Sequence, residues 1–107
     1  MPVKVTDPMQ LEAHAGIRAW PDVKIKDAFG FRGYWRHGKL FAFITHTGLA
    51  VKTTSSQKQT ELSGLPGVEP FVLEGKTQRE WPVLPLTDDE RVALAVAQAR
   101  QSYEALG

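Results

Sequence analysis

Apolar and polar residues alternate along this chain with two different periods, and the switches between them mark out its elements. Met9, Leu11, Ala13, Ala15 and Ile17 bring apolar surface to a segment that opens with Asp7-Pro8. Aspartate accepts from the free N–H groups of a first helical turn, and proline suits that turn because its missing N–H would be unpaired there. A helix is predicted, ended by Gly16 and Trp20-Pro21, since the residue before a proline is pushed out of the α region. From Asp22 to Phe29 the period becomes two, with Val23 and Ile25 on one face and Lys24 and Lys26 on the other, which predicts a half-buried strand. Phe31 to Arg36 and Lys39 to Thr45 continue as strands joined by His37-Gly38, where glycine tolerates the positive φ of a tight hairpin turn. Thr47-Gly48 signals another turn, and Leu49 to Lys52 a short strand.

Polar residues fill Thr53 to Ser63 and predict a short surface helix, closed by Leu65-Pro66-Gly67. Two short strands follow, around Phe71-Val72-Leu73 and Trp81-Pro82-Val83-Leu84. Pro82 places the second at a sheet edge or in irregular pairing, because proline donates no ladder bond. Thr87-Asp88-Asp89-Glu90 fits a capping box, and Val92, Ala95/Val96, Ala99, Tyr103 and Leu106 then repeat at helical spacing. The expectation is one α+β domain over residues 1–107. It has two layers, a mainly antiparallel sheet of about five strands, N- and C-terminal helices and a short middle helix.

A two-residue turn at His37-Gly38 sets a hairpin register of Arg36 opposite Lys39, Trp35 opposite Leu40, Tyr34 opposite Phe41, Gly33 opposite Ala42 and Arg32 opposite Phe43. One face then carries Phe31, Gly33, Trp35, Leu40, Ala42 and Ile44, apolar and suited to the helix layer. The other carries Arg32, Tyr34, Arg36, Lys39, Phe41 and Phe43, mixing cations with aromatics. These six are the candidate binding residues. Three readings of that face stand side by side. Other parts of the chain cover it, a second subunit covers it, or it stays open and stacks nucleobases while its cations hold phosphate.

Charge adds weight to that region. Residues 18–58 hold eight basic side chains against Asp22 and Asp27, whereas residues 59–107 hold four basic and eight acidic ones, within a net charge of +1. Such segregation marks a polyanion site, a sheet and helix that attract each other, or faces that pair in a dimer. The chain has no cysteine, which excludes disulfides, thiolate nucleophiles and cysteine-held metals and favours a reducing cytoplasm. No apolar run approaches the about 20 residues of a membrane helix, and the N-terminus lacks the apolar centre of a signal peptide, so no membrane partner is expected.

Candidate chemistry is sparse. His14, His37 and His46 have neither the spacing nor the neighbouring carboxylates of a metal site, and Gly38-Lys39 lacks the rest of a phosphate loop. No Gly-x-Ser-x-Gly elbow occurs. Asp88-Asp89-Glu90 is accounted for by the start of a helix. Asp27 and Glu80, carboxylates beside aromatic strand ends, are the candidates for a pocket. Catalytic residues, metal ligands and cofactors are therefore expected to be none.

The run from Ala28 to Ile44 (AFGFRGYWRHGKLFAFI), followed by Gly48-Leu49-Ala50-Val51-Lys52, resembles the N-terminal domain of the bacterial competence regulator TfoX. Its pattern is a Phe-Gly, a hairpin ending in Gly-Lys, Phe-Ala, and a strand ending in lysine. Pro66-Gly67, Pro70-Phe71, Glu80-Trp81 and Val83-Leu84-Pro85-Leu86 fall in the same order, and Ala99 to Leu106 is similar to the last helix of the related MmcQ/YjbR-like proteins. The resemblance implies a secretion-chaperone-like arrangement of about five antiparallel strands with flanking helices, in a fold where dimers are common. It implies no catalytic residues. Full competence regulators carry a second, helical domain with no counterpart within residues 1–107, so a role that depends on that domain is not expected of this chain.

Three functions follow as expectations. The first is a non-enzymatic protein-interaction or regulatory module, dimeric or with an unidentified protein partner. The second is nucleic-acid binding through Arg32, Tyr34, Arg36 and Lys39, with Lys24 and Lys26 beside them. The third is a small-molecule or enzymatic site at Asp27 or Glu80.

Overall fold

The computed structural model describes residues 7–106, so most of the N-terminal segment read above for a signal peptide lies outside the described residues. Helix α1 spans Pro8–Arg18 and starts as the sequence predicts, with the Asp7 carboxylate accepting from the N–H groups of Met9 and Gln10. Strands β1 (Val23–Ala28), β2 (Phe31–Arg36), β3 (Lys39–Ile44) and β4 (Gly48–Val51) precede helix α2 (Ser56–Ser63). Strands β5 (Glu69–Leu73) and β6 (Lys76–Pro85) and helix α3 (Asp89–Ala105) complete the chain. The six strands form one antiparallel sheet in the order β1-β2-β3-β4-β6-β5. No helix among the described residues is long and apolar enough to cross a membrane.

Three of the hairpins turn on the same device. Phe29-Gly30, His37-Gly38 and Glu74-Gly75 all have positive φ at both residues, the geometry whose twist matches that of the flanking strands. One sequence expectation needs correcting at this level. Asp88, not Thr87, caps α3; its carboxylate accepts from Arg91 N at 2.8 Å, which leaves Asp89 and Glu90 in the first turn near the helix's positive end. Pro82 lies on an interior strand and pairs irregularly, the second of the two placements expected for it. It sits opposite Pro70, just where the β5–β6 register shifts, so two residues without donors face each other at an irregularity.

Helices α1 and α3 pack against each other and cover one face of the sheet. Between them and the sheet lies a core of Ile17, Tyr34, Phe41, Ile44, Leu49, Val51, Leu84, Val92, Ala95, Ala99 and Tyr103. The stripe expected on α3 supplies four of these residues. A second core sits on the other face, with Phe43, Ala50, Phe71, Trp81 and Val83 packed beside Phe31, Trp35, Leu40 and Leu73. Phe71 of β5, at one end of the sheet, lies 5.8 Å from Phe29 in the β1–β2 turn and 5.9 Å from Phe31 of β2, measured between ring centroids. The sheet therefore curls until β5 reaches the β1–β2 turn over a concave aromatic face, leaving the outer edge of β1 unpaired. Gly33 permits the curl, because a Cβ there would come within 2.8 Å of both Ala28 Cβ and Lys26 O.

The hairpin register departs from the one predicted. Arg36–Lys39 and Trp35–Leu40 pair as expected, but Tyr34 then pairs with Ala42, Gly33 with Phe43 and Arg32 with Ile44. Phe41 is the extra residue of a β-bulge, and both Phe41 and Ala42 face the helix layer opposite Tyr34. The extra residue moves Ala42 and Ile44 to the face of Tyr34 and Phe43 to the face of Trp35, and it is the Tyr34 face, not the Trp35 face, that the helices cover. Arg32, Tyr34, Arg36 and Phe41 look toward the helices, whereas Phe31, Gly33, Trp35, Leu40 and Phe43 look into the concave side.

Candidate interaction surfaces

The six residues read as one binding face do not form one. Tyr34 and Phe41 are fully buried beneath the helices, and Phe43 is fully buried on the concave side. Phe41 stacks on Trp20 at 6.2 Å and meets Tyr103 edge-on at 5.6 Å, while Phe43 lies 4.8 Å from Phe71 and 5.1 Å from Trp81. The aromatic face that motivated both interaction readings is thus covered by the chain itself, and only Lys39 of the six is exposed.

The cations of that set are largely occupied too. Arg36 donates to the Tyr103 carbonyl at 2.8 Å and lies 3.9 Å over the Tyr103 ring, so it adds a second donor to a last-turn carbonyl of α3 that also accepts from Leu106 N. Arg32 Nη1 lies 3.5 Å from His14 Nε2, and His14 Nδ1 lies 2.8 Å from the Tyr34 hydroxyl. Arginine can only donate, so this geometry favours the neutral tautomer in which Nε2 accepts and Nδ1–H donates to Tyr34. Burial first, then the charges of Arg32 and Arg18, hold the His14 pKa below its ordinary value. Burial pushes the Tyr34 hydroxyl well above its usual pKa, with Arg32 opposing. Both groups are therefore neutral near pH 7, which makes this cluster a structural pin between α1 and β2. No local pattern signals it, because its members are brought together by the helix–sheet packing.

Asp27 and Glu80 are not gathered into a pocket. Glu80 pairs with Lys52 at 2.7 Å on the surface. One cavity of about 490 Å³ lies between α2 and the β5–β6 hairpin, lined by Gln59, Thr60, Ser63, Pro70, Thr77 and Arg79. Another of about 200 Å³ adjoins Phe31, His46, Glu69 and Phe71. Neither cavity is lined by Asp27 or Glu80. Among the described residues, no group of three or more His, Asp or Glu side chains is placed to hold a metal ion.

What the fold leaves open is strand β1. It pairs with β2 alone, and Lys24, Ile25, Lys26 and Asp27 are all exposed. Ala28 and Phe31 close a two-residue turn and so form a hydrogen-bonded pair. Alternation from there points the N–H and C=O groups of Val23, Ile25 and Asp27 away from the sheet. The far edge, β5, carries Pro70 and turns Phe71 into the concave core. On the helix side of β1, Ile25 remains 44% exposed beside Tyr34, and Leu11, one turn before His14 on α1, is also 44% exposed.

On the concave side, Asp22, Lys24, Lys26, Trp35, His37 and Gly38 line a groove of about 330 Å³. Lys26 Nζ lies 5.2 Å from the Trp35 ring centre, and the indole N–H donates to Lys26 O at 3.3 Å. The side-chain ion pairs among the described residues are Lys52–Glu80, Lys58–Glu61 and Arg100–Glu104. Lys24 and Lys26 thus have no carboxylate partner there. Arg18 and Lys39 of the basic cluster are also exposed and outside those pairs, but Lys24 and Lys26 are the two that share one face of a free strand edge. No protein-family model matches this chain, and no curated protein matches it.

Proposed function

We propose that this protein is a non-enzymatic, cytoplasmic protein-interaction module whose contact surface is the outer edge of β1. The observation that carries the reading is a strand edge with three residues' backbone groups directed outward and an exposed isoleucine in its middle. Unpaired strand edges accept an extended segment of another chain through main-chain hydrogen bonds. The resemblance to the TfoX N-terminal pattern supports a role of this kind, since that pattern carries no catalytic residues, and the secretion-chaperone-like arrangement it implies agrees with helices lying on one antiparallel sheet.

The test is selection of binders from a random peptide library against the purified protein, with the Ile25→Pro variant as the counter-screen. Proline removes the outward N–H at the centre of the edge while remaining tolerable on an edge strand. Selected peptides should bind the parent protein and not the variant. Peptides that bind both equally would overturn the reading.

A second reading, nucleic-acid binding, is favoured by Lys24 and Lys26 flanking Trp35 in one groove. It requires single-stranded DNA or RNA to bind with an affinity that falls steeply with salt, and to quench tryptophan emission. Binding indifferent to salt would remove it.

A further inference from the structure

Resting on the reading of β1 as the contact edge, the geometry points to the chemistry of the partner: an extended segment in which acidic and apolar residues alternate. The pleat sets the partner's pattern. A strand added to β1 presents successive side chains to opposite faces, as β1 itself does. On the concave face its side chains would lie along the groove of Lys24, Lys26, Trp35 and His37. Lys24 and Lys26 are two residues apart on one strand, about 7 Å, the same repeat as every second residue of an incoming strand. Neither has a carboxylate partner among the described residues, so acidic side chains at that repeat gain two ion pairs without displacing any. On the helix face the same strand would meet Ile25, apolar and 44% exposed. Residues between the acidic ones are therefore apolar.

The same charges argue against a second copy on this edge. Antiparallel self-pairing centred on Ile25 sets Lys24 of each copy directly opposite Lys26 of the other, and like charges facing across strands destabilise the pair. Lysines on an edge are a common guard against self-association, and here the guard also selects a partner of opposite sign. Nucleic acid fits the groove less well. Lys26 covers a face of Trp35 and the indole N–H is engaged by Lys26 O, so the ring is not free to stack a base.

Fluorescence anisotropy with labelled probes tests the inference: a peptide alternating Glu and Val, a block peptide of the same composition, a peptide alternating Lys and Val, and oligothymidine. The alternating acidic peptide should bind most tightly. Reversing both charges, Lys24→Glu with Lys26→Glu, should weaken it about tenfold or more. Block or lysine peptides binding as tightly would overturn the acidic-alternating inference, as would oligothymidine displacing the acidic peptide. The two readings fail differently. Lysine and acidic peptides that bind equally, both lost in Ile25→Pro, would leave the edge standing and sink the partner chemistry. Undiminished binding to a folded Ile25→Pro variant would sink both. If that variant does not fold, amide shift mapping on the parent protein decides the edge, which requires the perturbed amides to fall within Val23–Asp27.

Discussion

Replacing Phe71 by alanine asks whether the sheet really closes over its own concave face. Phe71 is 7% exposed although it sits on an edge strand, because its ring meets Phe29, Phe31 and Phe43 across the curl. Burying a phenylalanine removes roughly 150 Å² or more from water. At about 25 cal/mol per Å² that is about 4 kcal/mol, an upper figure because unfolded chains already bury some of this surface. Core Phe→Ala substitutions cost about 3–5 kcal/mol, and an edge strand can relax into the gap, so a loss of about 3 kcal/mol is expected. The assay is thermal unfolding followed by circular dichroism, where that loss lowers the midpoint by more than about 10 °C in a domain of this size. Val72 is the internal control, being next along β5 and 56% exposed. Val72→Thr should change stability by less than about 0.5 kcal/mol. If the two variants lose similar, small amounts, the curled sheet is not what holds Phe71, and the concave core as described is wrong.

Three further predictions follow from the buried polar pin and the bend. Tyr34→Phe leaves the His14 Nδ1–H without its 2.8 Å partner and should cost about 1–2 kcal/mol in urea unfolding; no loss would mean that the pair contributes nothing. Folding holds the His14 pKa below its ordinary value of 6.5, so between the two pKa values the unfolded chain binds more protons than the folded one. Stability should therefore be level above about pH 6.5 and fall as pH drops below it, and His14→Gln should flatten that decline in urea midpoints measured across the range. Gly33→Ala drives a methyl into Ala28 Cβ and Lys26 O and should cost about 1–3 kcal/mol by the same measurement; a neutral result would show that the curl does not need glycine at that position.

Much of the framework is legible in the sequence because it is set by local chemistry. Asp7-Pro8, His37-Gly38 and the α3 stripe each specify their element through a cap, a turn or a period, with no help from distant residues. The candidate face was misplaced in two ways, by one extra residue in β3 and by which side of the hairpin meets the helices. Nothing local in Lys39–Ile44 announces a bulge at Phe41; it follows from how Phe41 fits between Trp20, Tyr34 and Tyr103, contacts that come together only when helices and sheet assemble. Because side chains alternate along a strand, that one residue puts Phe41 and Phe43 on opposite faces, while Tyr34 is inward because the helices cover its face of β2 and not the Trp35 face. The concave core was equally hidden, since Phe29 and Phe71 meet only through the curvature of the whole sheet. The exposed edge of β1 was half visible. The alternation of Val23, Lys24, Ile25 and Lys26 predicts the strand, but its lack of an outer neighbour is a property of the strand order.

The central claim is that the outer edge of β1 receives another chain. Amide hydrogen exchange tests it most directly, measured on the free protein and with the alternating acidic peptide at saturation. In the free protein the amides of Val23, Ile25 and Asp27 should exchange fast, while those of Lys24 and Lys26, paired with β2, exchange slowly. Peptide should then protect Val23, Ile25 and Asp27 selectively. Protection of those three already present in the free protein, or peptide-induced protection that appears elsewhere and leaves them unchanged, would contradict it.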